Sequence, residues 1–355
     1  MPSFEDNIWA LFLNNSGISK FSGTQVPKML AGKNLSVTPY IGGTKHGISG
    51  SSTPKDLETA LQMTYLYFAD PRFDEDEYQT GIQQIKAILP NIAKNPDFIF
   101  QNAMNKILYG NNPRVVELNE ETLANADLAT IERVYRELFK DAAGATLRIV
   151  GNVDPETIKP MIEKYIGSIA KGKKASKVNK ANNISIAKGI IDENVAIPME
   201  TPKSTVLQVY TAYMPIDTKT EVTLEIAKYV LDMIYTKTIR EEEGGTYGVG
   251  VAMVGQRTPQ ERVIIQASFD TNPEQAPKLC ELAIKGLKEL AENGPDEEKF
   301  NMAIENFKKN IPESRISNSY WMNNLSQYYD YGIDYDKEYE EAVAQLLALI
   351  EADKQ

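Results

Sequence analysis

One segment holds residue types that chemistry could use, in a pattern that would position them. It is Thr238-Ile239-Arg240-Glu241-Glu242-Glu243-Gly244-Gly245-Thr246-Tyr247-Gly248-Val249. Arginine presents a rigid fork of donors to carbonyl or carboxylate oxygens, and a tyrosine hydroxyl can donate to an oxygen that is gaining negative charge. Ala227, Val230, Leu231 and Ile234 recur ahead of the segment at helical spacing. A helix is therefore expected to stop at Gly244-Gly245, where a left-handed residue carries little strain. A strand is expected from Thr246-Tyr247. Arg240 would then sit on the last helical turn and Tyr247 on the first strand residues, both facing one concave edge. On residue types alone the segment also reads as a plain helix-to-strand turn, because arginine suits a helix C-terminus and tyrosine suits a strand. A phosphate cradle has the wrong polarity, since these glycines follow a helix and do not open one.

No metal site can be written from the remaining candidates. Zinc takes three or four ligands, mainly from His, Cys and carboxylates. The chain has one histidine, His46, and one cysteine, Cys280, so no His-x-x-Glu-His or His-Glu-x-x-His motif exists. His46 lies in Gly42-Gly43-Thr44-Lys45-His46-Gly47, which reads as a hairpin turn. Cys280 shares a helical face with Leu279, Ala283, Ile284 and Leu287 and reads as a buried, inert thiol. Asp330, Asp334 and Asp336 cluster among tyrosines, but their spacing departs from the calcium loop. Nothing near His46 forms a nucleophile elbow.

Bulk properties narrow the class. The 355 residues carry a net charge of -11, which argues against nucleic acid or an anionic membrane as partner. No apolar run approaches the ~20 residues a membrane span needs, and the first residues have neither the basic start nor the apolar stretch of a signal peptide. A single cysteine excludes an internal disulfide and leaves the redox compartment open. The length favours two domains. A basic stretch over residues 171–180 has no apolar period and reads as a solvated linker. The expected division is residues 1–172, a linker over 173–195, and a second domain over 196–355.

The two sides of that linker repeat each other. A short strand near Ile48–Ser51 leads to Thr53-Pro54, a cap followed by a first-turn proline, and then to the helix face Leu57, Leu61, Tyr65, Phe68. A strand Val263–Phe269 leads likewise to Asn272-Pro273 and to Leu279, Ala283, Leu287, Leu290. Asp74-Glu75-Asp76-Glu77-Tyr78 then matches Asp296-Glu297-Glu298-Lys299-Phe300, with Ile82 and Ile85 opposite Ile304 and Phe307. Divergent duplication is the expected origin. The first copy continues through a helix around Leu123–Phe139, a strand Thr146–Val150 and a capped helix after Asp154. The second reaches a helix around Tyr339–Ile350 without a counterpart of that strand, so part of the sheet is expected to come from a longer polypeptide.

Arg240-Glu241 through Gly244-Gly245-Thr246-Tyr247 resembles the Arg…Tyr signature of the pitrilysin and insulin-degrading-enzyme family, the inverzincin peptidases. The resemblance extends to the run from Tyr67 to Asp74, to Ile149-Val150-Gly151-Asn152-Val153-Asp154, and to Asn318-Ser319-Tyr320-Trp321. It implies an α+β fold of two tandem homologous domains. Each would be a mixed, mostly antiparallel sheet with helices packed on it, forming one half of a clam-shell chamber. It further implies the C-terminal half of a zinc endopeptidase of bacterial type, with Arg240 and Tyr247 binding peptide and Tyr247 supporting the oxyanion. Zinc and the general base would belong to an N-terminal half absent from this chain, which alone would be inactive. The rival expectation is a non-catalytic peptide-binding or scaffold subunit that pairs with a separate zinc-bearing partner. The resemblance slightly favours the periplasm or cell envelope and leaves the cytoplasm open.

Overall fold

A computed structural model describes residues 16–110, 112, 114–172 and 184–353. The chain divides into two compact units, residues 1–147 with 151–198, and residues 148–150 with 199–355. Both combine helices with a small antiparallel sheet, an α+β architecture. The expected linker falls partly on residues 173–183, outside the described residues.

In the first unit, helix α1 (Gln25–Met29) precedes the hairpin of β1 (Leu35–Ile41) and β2 (His46–Ser52). Thr53 and Pro54 do initiate the following helical segment, but Pro54–Asp56 is a 3₁₀ turn and Thr53 caps nothing. Its hydroxyl donates to Asp56 instead, at 2.7 Å. Helices α2 (Leu57–Ala69), α3 (Glu75–Ile92), α4 (Pro96–Tyr109), α5 (Glu120–Ala124), α6 (Leu128–Leu138) and α7 (Pro155–Tyr165) follow. The single helix expected around Leu123–Phe139 is thus two. Asn125 closes the first, and Asp127 caps the second by accepting from the Thr130 N–H. Residues 146–150 form no strand; they pair with no other strand among the described residues, so an apolar pattern alone was insufficient. The core gathers Tyr78, Ile82, Ile85, Leu89, Leu123, Tyr135 and Phe139. The buried Tyr135 hydroxyl finds its acceptor in the Tyr67 carbonyl at 2.9 Å.

In the second unit, β3 (Ser204–Ala212), β4 (Gly250–Gln256) and β5 (Arg262–Thr271) form a sheet in the order β3-β5-β4. Helix α8 (Thr218–Tyr235) runs between two cores. Val222, Ile226 and Val230 pack with α10 (Glu297–Ser314) and α12 (Tyr335–Asp353), whereas Leu231 and Tyr235 pack against the sheet and α9 (Ala276–Asn293). Helix α11 (Asn318–Tyr331) buries no residue fully.

The repeated signals extend further than the acidic starts. Helices α3 and α10 each have 18 residues, an aspartate cap accepting from the third helical N–H (Asp74, Asp296), and a proline in the last turn (Pro90, Pro312). Helices α4 and α11 each have 14 residues, begin on a side-chain cap (Asn95, Ser317) and end on a left-handed glycine (Gly110, Gly332). The intervals between these landmarks are the same in both units. Such caps fix helix ends because they satisfy N–H groups that have no partner inside the helix.

Candidate functional site

The segment carrying Arg240 and Tyr247 is seated by buried neighbours. Helix α8 continues into one π-helical turn, Thr236–Glu241, closed by Glu242 N–H to the Lys237 carbonyl at 3.0 Å. Leu231, Tyr235 and Ile239 are essentially without solvent exposure, and the Tyr235 hydroxyl donates to the Ala283 carbonyl at 2.7 Å. Ile239 therefore anchors the turn inward and Arg240, the next residue, is exposed. Gly244 takes φ +60° and turns the chain. Gly245 then passes so close to Leu279 that a Cβ would lie 2.6 Å from Leu279 Cδ1. Its carbonyl accepts from the Thr271 hydroxyl at 2.6 Å. Glu243 pairs with Lys278, and the Thr246 hydroxyl bridges to the Gly248 carbonyl at 3.0 Å.

Tyr247 lies on the loop, not on a strand, because β4 starts only at Gly250. Its exposure is 101%. Neither the Arg240 nor the Tyr247 side chain has a hydrogen bond, ion pair or ring contact among the described residues. Arg240 on the π-helical turn and Tyr247 on the loop that follows are both exposed, and no contact joins them among the described residues. What the fold offers chemically is a free guanidinium and a free phenol on a firmly held backbone.

The other candidates are tied into structure. His46 Nε2 hydrogen-bonds the Leu138 carbonyl at 2.9 Å, and the ring meets Phe139 edge-on. Its place at the first residue of β2, beside the Gly42–Lys45 turn, is the surface hairpin position expected. Cys280 is half-buried, with the Gln208 amide nitrogen 3.0 Å from its sulfur. Asp330 holds Arg148 at 2.6 Å, Asp336 holds Arg315 at 2.8 Å, and the Asp334 carbonyl accepts from Glu338 N–H at the start of α12. Among the described residues no group of three or more His, Cys, Asp or Glu side chains could hold a metal. The donor set does not fit zinc, and no step here runs through it.

Two arginines of the second unit gave no signal in the sequence. Arg257 grips Glu221 with both terminal nitrogens, donates to the Ile216 carbonyl at 3.2 Å and lies over the Tyr331 ring. Arg262 is buried at 8% exposure and bonds Gln256 through Nε at 2.7 Å. The Arg257–Glu221 partners are distant in sequence, so only the folded sheet reveals the pairing.

Residues 125–307 match the family described as peptidase M16 inactive domain. The chain belongs to that family. The resemblance to the pitrilysin and insulin-degrading-enzyme peptidases noted in the sequence is thereby borne out, and the chain carries the inactive, C-terminal type of domain. A zinc protease PQQL-like of Arabidopsis thaliana is 25% identical over 77% of this chain and 30% of that protein. The crystal structure of the periplasmic protease PqqL from Escherichia coli aligns with a TM-score of 0.80 at 20% identity, covering 97% of this chain and 38% of that one. The structure of the first half of the same protease aligns with a TM-score of 0.64 at 11% identity, over 97% of this chain and 76% of that chain. At these identities the structural matches establish the fold alone. The M16 chain spans about a third of the length of the curated relatives it matches.

Proposed function

We propose that this M16 domain is the substrate-holding half of a zinc metalloendopeptidase and closes with a zinc-bearing N-terminal half around an extended peptide. The observation that carries this reading is the pair of free, exposed side chains on a buttressed helix-to-loop turn. In this role Arg240 holds a peptide carbonyl with its planar donors, and the Tyr247 hydroxyl donates to the oxyanion as the tetrahedral intermediate forms. The zinc half supplies metal and base; the present half supplies orientation and charge stabilisation. The periplasm is the compartment we assign, by the likeness to PqqL.

Steady-state kinetics of the enzyme with both halves test the assignment. Tyr247→Phe is expected to lower kcat by about 10²–10³, the usual effect of removing one oxyanion donor. Arg240→Ala should also raise KM, because a guanidinium can hold the ground-state carbonyl too. Both variants should melt with the parent, since neither side chain has a partner to lose among the described residues. Unchanged kcat in Tyr247→Phe at full zinc occupancy would remove the catalytic role.

A further inference from the structure

Arg240 and Tyr247 are held in place by different parts of the molecule. Arg240 sits on the π-helical turn, whose backbone is closed by its own hydrogen bonds and whose preceding residue, Ile239, is fully buried. Tyr247 has no such support. Its side chain has no bonded partner among the described residues, so its direction is set through its backbone.

That backbone is thinly tied. Among the described residues, Gly244 to Gly248 make one hydrogen bond to the rest of the chain, from the Thr271 hydroxyl to the Gly245 carbonyl at 2.6 Å. The remaining bonds are internal. The Thr246 hydroxyl donates to the Gly248 carbonyl at 3.0 Å and accepts from the Gly248 N–H at 3.3 Å, which closes a turn around Tyr247. The internal turn fixes the shape of the loop, and the Thr271 bond fixes its place. Thr271 is itself rigidly mounted. It is the last residue of β5, in register with Ser204 of β3, and buried at 6% exposure. It keeps the parity of Ala267 and Phe269, so its side chain lies on the face that packs against α9. Gly245 rests against the same corner, where a Cβ would lie 3.2 Å from Gln275 Oε1 as well as against Leu279. Without the hydroxyl, the Gly245 carbonyl loses its donor and the loop must move to find another.

We propose that Thr271 is a positioning residue for the proposed cleavage: through the Gly245 carbonyl it sets where the Tyr247 hydroxyl meets the oxyanion, while Arg240 is set independently by the core beneath its own turn. The proposal rests on the catalytic reading of Tyr247 given above and adds a residue that touches no substrate. It separates the two kinetic constants, because moving the Tyr247 loop leaves the ground-state contact of Arg240 in place.

Steady-state kinetics of the enzyme with both halves, at full zinc occupancy, test this. Thr271→Val keeps the shape of the side chain and loses the hydroxyl; Thr271→Ser keeps the hydroxyl. Thr271→Val should lower kcat by about tenfold with KM near the parent's, and Thr271→Ser should retain most of the rate. In a Tyr247→Phe background, Thr271→Val should cost no further rate, because the group it positions is already gone. A merely structural role would instead repeat the full loss in that background. Thr271→Ala, read by the same comparison, decides the matter if the valine variant does not fold. Unchanged kcat without the Thr271 hydroxyl, a loss shared by Thr271→Ser, or a full loss repeated in Tyr247→Phe would overturn the proposal and leave the catalytic role of Tyr247 standing. No loss in Tyr247→Phe alone would remove that role and its positioning together, so the two failures are read from different variants.

Discussion

Gly245 ties the loop that carries Tyr247 to the helix behind it, and its neighbour Gly244 turns that loop; the two glycines are needed for different reasons. At Gly244 the backbone has φ +60° but a Cβ would meet nothing within 4 Å. At Gly245 the backbone is unexceptional, and a Cβ would collide with Leu279, which is fully buried and has little room to retreat. Gly244→Ala should therefore cost about 1 kcal/mol of backbone strain and leave turnover near the parent's. Gly245→Ala should cost about 1–3 kcal/mol of overpacking and also lower kcat in the enzyme with both halves, because the loop must shift to relieve it. Thermal melts and kinetics on both variants check the contrast. Equal stability losses with equal kinetics would show that the close approach to Leu279 does not hold the loop.

At the scale of elements, capped helices recur in both units, and the caps make their contribution measurable. Asp74→Ala and Asp296→Ala should each destabilise their own unit by about 1 kcal/mol, the usual loss when a side-chain cap is removed. Chemical denaturation of each variant reads this. An effect at one position only would show that the matching signatures do not do matching work. Helix α12 adds a pH-dependent contact. Glu225 on α8 lies among Tyr335 and Tyr339 of α12, accepting from Tyr339 at 2.7 Å, with Glu221 nearby on its own helix. Burial raises its pKa above the usual carboxylate range, against the pull of the tyrosine hydroxyls. The folded state then binds a proton more readily than the unfolded one. Stability from this group is full below the unfolded pKa and is lost as pH rises through the folded value. Glu225→Gln should accordingly gain in melting temperature relative to the parent as pH rises above the ordinary glutamate value of about 4.3; a difference that stays constant as pH rises would exclude the linkage. Apolar periods and the cap at Asp154 were legible in the sequence because they act between neighbours, whereas the caps read at Thr53 and Asn272 are not ones the helices use. The π-helical turn that carries Arg240 and the course of the loop ahead of β4 were not legible. Each depends on tertiary partners such as Ala283, Leu279 and Thr271, which local patterns do not name.

For the molecule as a whole, the single histidine and the single cysteine set the limit on what this chain does alone. Both are occupied: His46 by the Leu138 carbonyl, Cys280 by the Gln208 amide. Of the carboxylates that cluster near the C-terminus, Asp330 and Asp336 are turned toward arginines instead. Arg240 and Tyr247 can stabilise charge, but stabilising an oxyanion presupposes a nucleophile that has already attacked, and a peptide bond needs an activated water for that. The chain should thus retain no stoichiometric zinc after dialysis and should not turn over a quenched fluorescent peptide library, with or without added zinc. Mixed with a separately produced zinc-bearing half, it should restore cleavage, and Tyr247→Phe should weaken that restored rate without weakening association of the halves. One zinc held tightly per chain, or turnover that persists through rigorous repurification of the chain alone, would overturn the division of labour between the two halves.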